Sequence, residues 1–132
     1  MKKALFFIPT VFYYALIFFF SSRSYQVKID ILFLDKAVHL VEFSLLGFLL
    51  AFGFFLSLSS TFWTKAVLAF TTGLLLAGLD ELHQYFVPLR SFELLDLAAD
   101  TVGILSGLVI YILLTRRKRA WRFTDKWEDS IH

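Results

Sequence analysis

Four stretches of this chain are apolar with little interruption, at about residues 4–20, 37–58, 66–86 and 94–114, and short polar segments separate them. A helix needs roughly 20 residues, at about 1.5 Å of rise each, to cross a hydrocarbon core of about 30 Å. The second, third and fourth stretches meet that length, and the first is slightly shorter. Backbone groups in lipid must satisfy one another, so a spanning segment is a helix or part of a closed barrel, and runs of this length favour helices. The pattern therefore predicts an all-α integral membrane four-helix bundle. Pro9 falls near the start of the first helix, where its missing N–H does little harm. That segment has a basic start, but SSRSYQ follows it without a small-x-small cleavage pattern. It reads as a retained helix and not as a signal peptide.

Composition agrees with this pattern. The chain is 58% hydrophobic and 18% charged, whereas soluble domains run at about 45–50% and about 25%. Its 132 residues suit one bundle, a membrane domain at 1–115 followed by a basic tail at 116–132. The absence of cysteine excludes disulfides and thiolate metal sites. A net charge of +2 is too small to suggest a nucleic-acid partner. Its distribution says more. Placing both termini in the cytoplasm puts nine Lys and Arg residues inside and Arg23, Lys28, Lys36 and Arg90 outside, the N-in/C-in arrangement that the positive-inside rule favours. Trp121 and Trp127 in the tail and Trp63 read as interfacial anchors.

All eight acids that precede the tail lie in the outer loops or the outer helix halves. Glu42, Asp80 and Asp100 each fall five or six residues inside a span boundary, which puts three carboxylates from three helices about 8–9 Å deep. A shallower layer holds Asp35, Lys36, His39, His83, Gln84 and Asp96, with Arg90 in the short loop above. Helical spacing groups Asp35, His39 and Glu42 on one face, and Asp80, His83 and Gln84 on another with Glu81 beside them. On the fourth helix Asp96, Asp100, Gly103 and Gly107 share a stripe whose glycines let another backbone approach. An intramembrane carboxylate costs on the order of 2.5–3.5 kcal/mol at the bilayer centre and less near the edge. Groups held at that cost face a partner or a cavity, and a buried ion network gains little stability over apolar packing. The acids are therefore expected to build a site.

The segments DKAVHLVEFSLLG (35–47), DELHQYFVPLRSFELLD (80–96) and DLAADTVGILSG (96–107) resemble the VanZ-like family of small bacterial membrane proteins, related to the teicoplanin-resistance accessory protein VanZ. The shared outline is D-K-x-x-H-x-x-E-[FY] opening one helix, D-E-x-x-Q closing the next, then R, D and an N/D-T-x-G element. The likeness maps onto Lys36, His39, Glu42, Asp80, Glu81, Gln84, Arg90, Asp96 and Gly103, and Asp100 stands at the N/D position. His83 lies outside it. The resemblance implies a multi-pass protein of the bacterial inner membrane, in contact with membrane lipids.

Two kinds of function fit these residues. The first is an outward-facing pocket for a lipid-linked envelope precursor or a glycopeptide-like ligand, bound through Lys36, Gln84, Arg90, Asp96 and Asp100. The second is a membrane-embedded hydrolase or transferase acting on an envelope lipid headgroup. There His39 would be acid or base, oriented by Asp35 or Glu42, with Asp80 and Glu81 sharing a proton. The chain has no H-E-x-x-H, G-x-S-x-G or P-loop motif. No cofactor is indicated. His39, Glu42, Asp80 and Asp96 are ligand types for zinc or manganese, but no closely spaced trio occurs, so no metal is assigned. Transport would need a polar path past Ser106, and the inner helix halves carry few polar groups.

Overall fold

Proline and capping residues decide where the helices begin. The computed structural model describes residues 2–23 and 34–128, with side chains for 3–23 and 34–116. A 3-10 turn at Lys2–Phe7 leads into α1, Ile8–Ser21, and Pro9 occupies the first helical turn. Proline has no N–H to continue an upstream α-ladder, so the regular helix starts there. The remaining helices are α2 (Leu34–Ser57), α3 (Phe62–Tyr85) and α4 (Leu94–Glu128). Each is long and apolar enough to cross a membrane, counting Lys3–Ser21 for the first and Leu94–Arg116 for the fourth. No strand occurs among the described residues.

The helices outrun their apolar stretches. α2 and α3 begin three and four residues before Ala37 and Ala66, the expected starts, because polar residues at a span's edge do not end a helix. Thr61 supplies the start of α3, its Oγ1 accepting from the Thr64 N–H at 3.2 Å. The α4 backbone continues past residue 114 into the basic run, where Arg, Lys and Ala are good helix formers. The tail side chains from residue 117 onward, including both tail tryptophans, and the loop residues 24–33 with Lys28 and Asp30 lie outside the described residues.

α2 and α4 form the closest pair. A Cβ placed on Gly47, Gly103 or Gly107 would run into backbone of the opposite helix, at Ile104, Leu40 and Ser44 respectively. The small-residue stripe on α4 therefore meets α2, with van der Waals contact and not hydrophobic expulsion drawing the helices together. Ile104, fully buried, reaches across to Gly73 and keys α4 against α3. Three hydroxyls dock α1: Thr10 donates to the Leu49 carbonyl, Tyr13 to that of Glu42, and Tyr14 to that of Leu76. Helical carbonyls keep a second lone pair for such bonds. Leu75, Val11 and Val41 point outward, as a lipid-facing surface requires.

The α3–α4 connection is short. Val87 accepts from the Arg90 N–H at 3.2 Å, Pro88 follows Val87, and Leu89 has φ of 67°. A proline followed by a positive φ under an i to i+3 bond is the pattern of a type II turn. Glycine or asparagine usually takes that third position, and leucine there carries a local cost of about 1–2 kcal/mol. The turn brings Arg90 and Glu93 back over the ends of α3 and α4.

Candidate functional site

The polar residues of α2, α3 and α4 converge at the end of the bundle where α3 turns into α4. Their burial is extreme for charged groups. Glu81 and Asp100 are 0% exposed, Asp80 1%, Gln84 2%, Asp96 3% and His39 4%. Glu42 is half-buried, and its carboxylate makes no hydrogen bond or ion pair among the described residues. Of the three carboxylates expected at one depth, Asp80 and Asp100 are buried and Glu42 is less enclosed.

Two arrangements organise the layer. The first surrounds Lys36, whose ammonium contacts Asp96 Oδ1, Glu93 Oε2 at 2.5 Å and Asp35 Oδ2 at 3.5 Å. This lysine, expected to bind ligand, is already committed to three acids. A buried aspartate needs such a partner, because an unpaired charge in low dielectric costs several kcal/mol. The second arrangement centres on His39, whose Nδ1 lies 2.9 Å from Asp100 Oδ1. The bond crosses from α2 to α4 and does not come from Asp35 or Glu42 on the histidine's own helix. The Gly103 contact with the Leu40 backbone accounts for this choice, since it holds the two helices close enough for short side chains to meet.

α3 contributes Asp80, Glu81 and Gln84. Gln84 Nε2 donates to Asp80 Oδ2 at 2.7 Å, an i, i+4 pair. Glu81 Oε2 accepts from the Glu93 N–H at 3.1 Å, which ties α3 to the first turn of α4. The second oxygens of these groups have no such partner: Asp80 Oδ1, Glu81 Oε1 and Asp100 Oδ2 are buried without a hydrogen bond. Buried carboxylate oxygens in this state normally mark an ion, a water or a ligand that completes them.

Arg90 is half-buried above this layer, and its Nη1 donates to the Ser21 carbonyl at 3.4 Å. Among the described residues it has no carboxylate within ion-pair distance. His83 belongs to a different contact, bonding Ser22 Oγ at 2.8 Å and stacking on Phe18 of α1 with centroids 4.1 Å apart. Glu93 was not a site candidate from sequence, yet it holds Lys36 with its side chain and Glu81 with its backbone. Its position beside a helix start gave no signal that separates it from a solvent-facing acid. Away from the polar layer the described core is apolar, built around Phe43, Leu46, Leu50 and Ile104. The hydroxyls of Thr71 and Ser106 bond back to carbonyls four residues earlier on their own helices.

A family model described as VanZ/LLP1 matches residues 6–115. The chain belongs to the VanZ/LLP1 family. The match covers the second and third membrane-length segments whole and nearly all of the first and fourth, and it contains every residue of the polar layer, so this layer lies wholly within the VanZ/LLP1 domain. Neither the curated proteins nor the solved structures contain a match to the chain.

Proposed function

We propose that this VanZ/LLP1 protein sits in the bacterial cytoplasmic membrane with both termini inside, and that its polar layer binds the headgroup of a lipid-linked or glycopeptide-like envelope ligand. The observation that carries this reading is Arg90. A guanidinium has five donors in a fork that suits a phosphate or carboxylate. Here it meets one backbone carbonyl, at 3.4 Å, while the neighbouring Lys36 is held by acids. Three residues farther along the same loop, the Glu93 backbone binds Glu81, whose second oxygen is unused. The layer thus offers a cationic fork with no described ion-pair partner and several bare acceptors. A ligand with one anionic group, several hydroxyl or amide donors and an apolar tail complements both. Lipid-linked glycans and lipoglycopeptides have that composition.

The test is titration of the detergent-purified protein with a polyprenyl phosphate. Arg90→Ala is expected to weaken binding about 10-fold or more, the worth of a charge-assisted hydrogen bond; unchanged affinity would sink the reading. A role in glycopeptide resistance further predicts that expression raises the teicoplanin tolerance of a sensitive bacterial host and that Arg90→Ala removes the effect.

The His39–Asp100 bond favours a second reading, a membrane-embedded acid/base enzyme acting on the same kind of headgroup. An imidazole oriented by a carboxylate is suited to proton transfer, and Asp80 and Glu81 flank it on α3. This reading requires His39→Gln and Asp80→Asn to abolish phosphate release from the polyprenyl probe while binding persists. Turnover in both variants would exclude it.

A further inference from the structure

The geometry points to a divalent-cation site made by His39, Glu81 and Asp100, one ligand each from α2, α3 and α4. The ligand atoms of this trio lie within 4.8 Å of one another, and all three residues are buried. Each has 4% exposure or less.

The contact between His39 Nδ1 and Asp100 Oδ1, at 2.9 Å, requires something positive between nitrogen and oxygen, either a proton or a cation. With bonds of about 2.1 Å, adjacent ligands of an octahedral ion sit about 3 Å apart and opposite ones about 4.2 Å. The observed spacing is that of neighbours in one coordination shell, and the trio's outer limit of 4.8 Å is within about 1 Å of the width of one shell.

A proton on His39 would satisfy that single contact and leave Glu81 Oε1 and Asp100 Oδ2 bare, as they are in the protein-only geometry. A dication held by His39 Nδ1, Glu81 Oε1 and both oxygens of Asp100 accounts for the whole set. Two carboxylates and a neutral imidazole sum to a charge of −2, which one dication cancels. Glu81 is already arranged for monodentate ligation, because the Glu93 N–H holds Oε2 and leaves Oε1 unused. No nearby lysine competes for the role, since Lys36 is spent on Asp96, Glu93 and Asp35. One imidazole nitrogen and two carboxylate oxygens, without sulfur, suit zinc or manganese among the first-row dications.

A second group, Asp35, His39 and Asp96, also meets the spacing. It is the weaker candidate: Asp35 is 55% exposed, and both of its acids are paired with Lys36. The two groups share His39 and are separated by their acids.

The cation site does not depend on the lipid-ligand reading, and its test contains no lipid ligand. The full-length protein is purified in detergent, stripped with a chelator, reloaded with Zn(II) or Mn(II) alone and freed of excess ion. Elemental analysis is expected to find about one equivalent of one of these ions per chain. Glu81→Gln and His39→Gln should lower its affinity, measured by chelator competition, by more than about 100-fold, the upper range for loss of an outer-shell partner alone. Asp35→Asn should retain the metal. Because either site variant can disturb folding, the unaltered Mn(II)-loaded protein provides a second readout, electron spin echo modulation from a coordinated imidazole nitrogen. Failure of both ions to bind stoichiometrically would overturn the proposal. So would a Mn(II) signal without nitrogen coupling, or metal that survives Glu81→Gln and is lost in Asp35→Asn.

Discussion

Gly103→Ala is the smallest change that should open the polar layer. The added Cβ would lie 2.5 Å from the Leu40 carbonyl oxygen, 3.0 Å from the Ser44 nitrogen and 3.2 Å from the Phe43 carbonyl carbon. All three are backbone atoms of α2, so no rotamer relieves the overlap. Ordinary contact begins at 3.4 Å, which requires α2 and α4 to separate by 3.4 − 2.5 = 0.9 Å at this level. Asp100 lies one turn from Gly103, and His39 is adjacent to Leu40. Transmitted in full, the separation would stretch the 2.9 Å His39–Asp100 contact to 3.8 Å, beyond hydrogen-bond range. Overpacking costs about 1–3 kcal/mol and a lost charge-assisted hydrogen bond about 1.5–3 kcal/mol, so the substitution should destabilise by roughly 2.5–6 kcal/mol. Gly78→Ala supplies the contrast, since nothing lies within 4 Å of its added Cβ. It should be neutral or stabilising by up to about 1 kcal/mol through helix propensity. Equilibrium unfolding in mixed micelles measures both, and the imidazole nitrogen resonances of His39 report the bond. A Gly103→Ala protein within about 0.5 kcal/mol of wild type, with an unchanged His39 spectrum, would refute the reasoning.

Lys36→Met removes the cation from Asp96, which is 3% exposed, and should cost about 3 kcal/mol or more in the same unfolding assay; wild-type stability would show that Asp96 does not depend on it. Gln84→Leu keeps side-chain bulk but strips the 2.7 Å bond from Asp80, leaving both carboxylate oxygens bare. An expected loss of about 1–3 kcal/mol should be recovered in part by Asp80→Leu in the same chain, and additive losses would argue against the pairing.

Much of the fold was legible because lipid imposes simple rules. Length and hydropathy located four helices, but reading Pro9 as harmless within a helix from residue 4 missed the 3-10 turn that precedes α1. The glycine stripe on α4 was recognisable as a packing face, although its partner α2 was not named by the pattern. Helix ends were less legible. α2 and α3 start earlier, since residues such as Asp35, Trp63 and Lys65 are compatible with an interfacial helix turn and their polarity does not stop it. For the site, residue types and shared helical faces were readable, but their partners were not. Lys36 was read as a ligand-binding cation, and the structure places its ammonium among Asp96, Glu93 and Asp35. Glu93 looked like a loop acid and joins two helices.

What the sequence determined by itself is one-dimensional: which segments form helices long and apolar enough to cross, and which residues share a helical face. Those properties follow from rise per residue, periodicity and the cost of polar groups in hydrocarbon, all of which act within one helix. Tertiary structure alone decided that His39 meets Asp100 and not Asp35 or Glu42, that Glu81 lies beside them, and that Arg90 meets a backbone carbonyl and no described ion-pair partner. Those outcomes depend on the distance and rotation between helices. The backbone contacts at Gly47, Gly103 and Gly107 set the α2–α4 approach, and the type II turn at Val87–Arg90 sets where the loop returns. A hydrogen bond is made or lost within less than an ångström, a scale at which the order of residues along a chain carries no direct information.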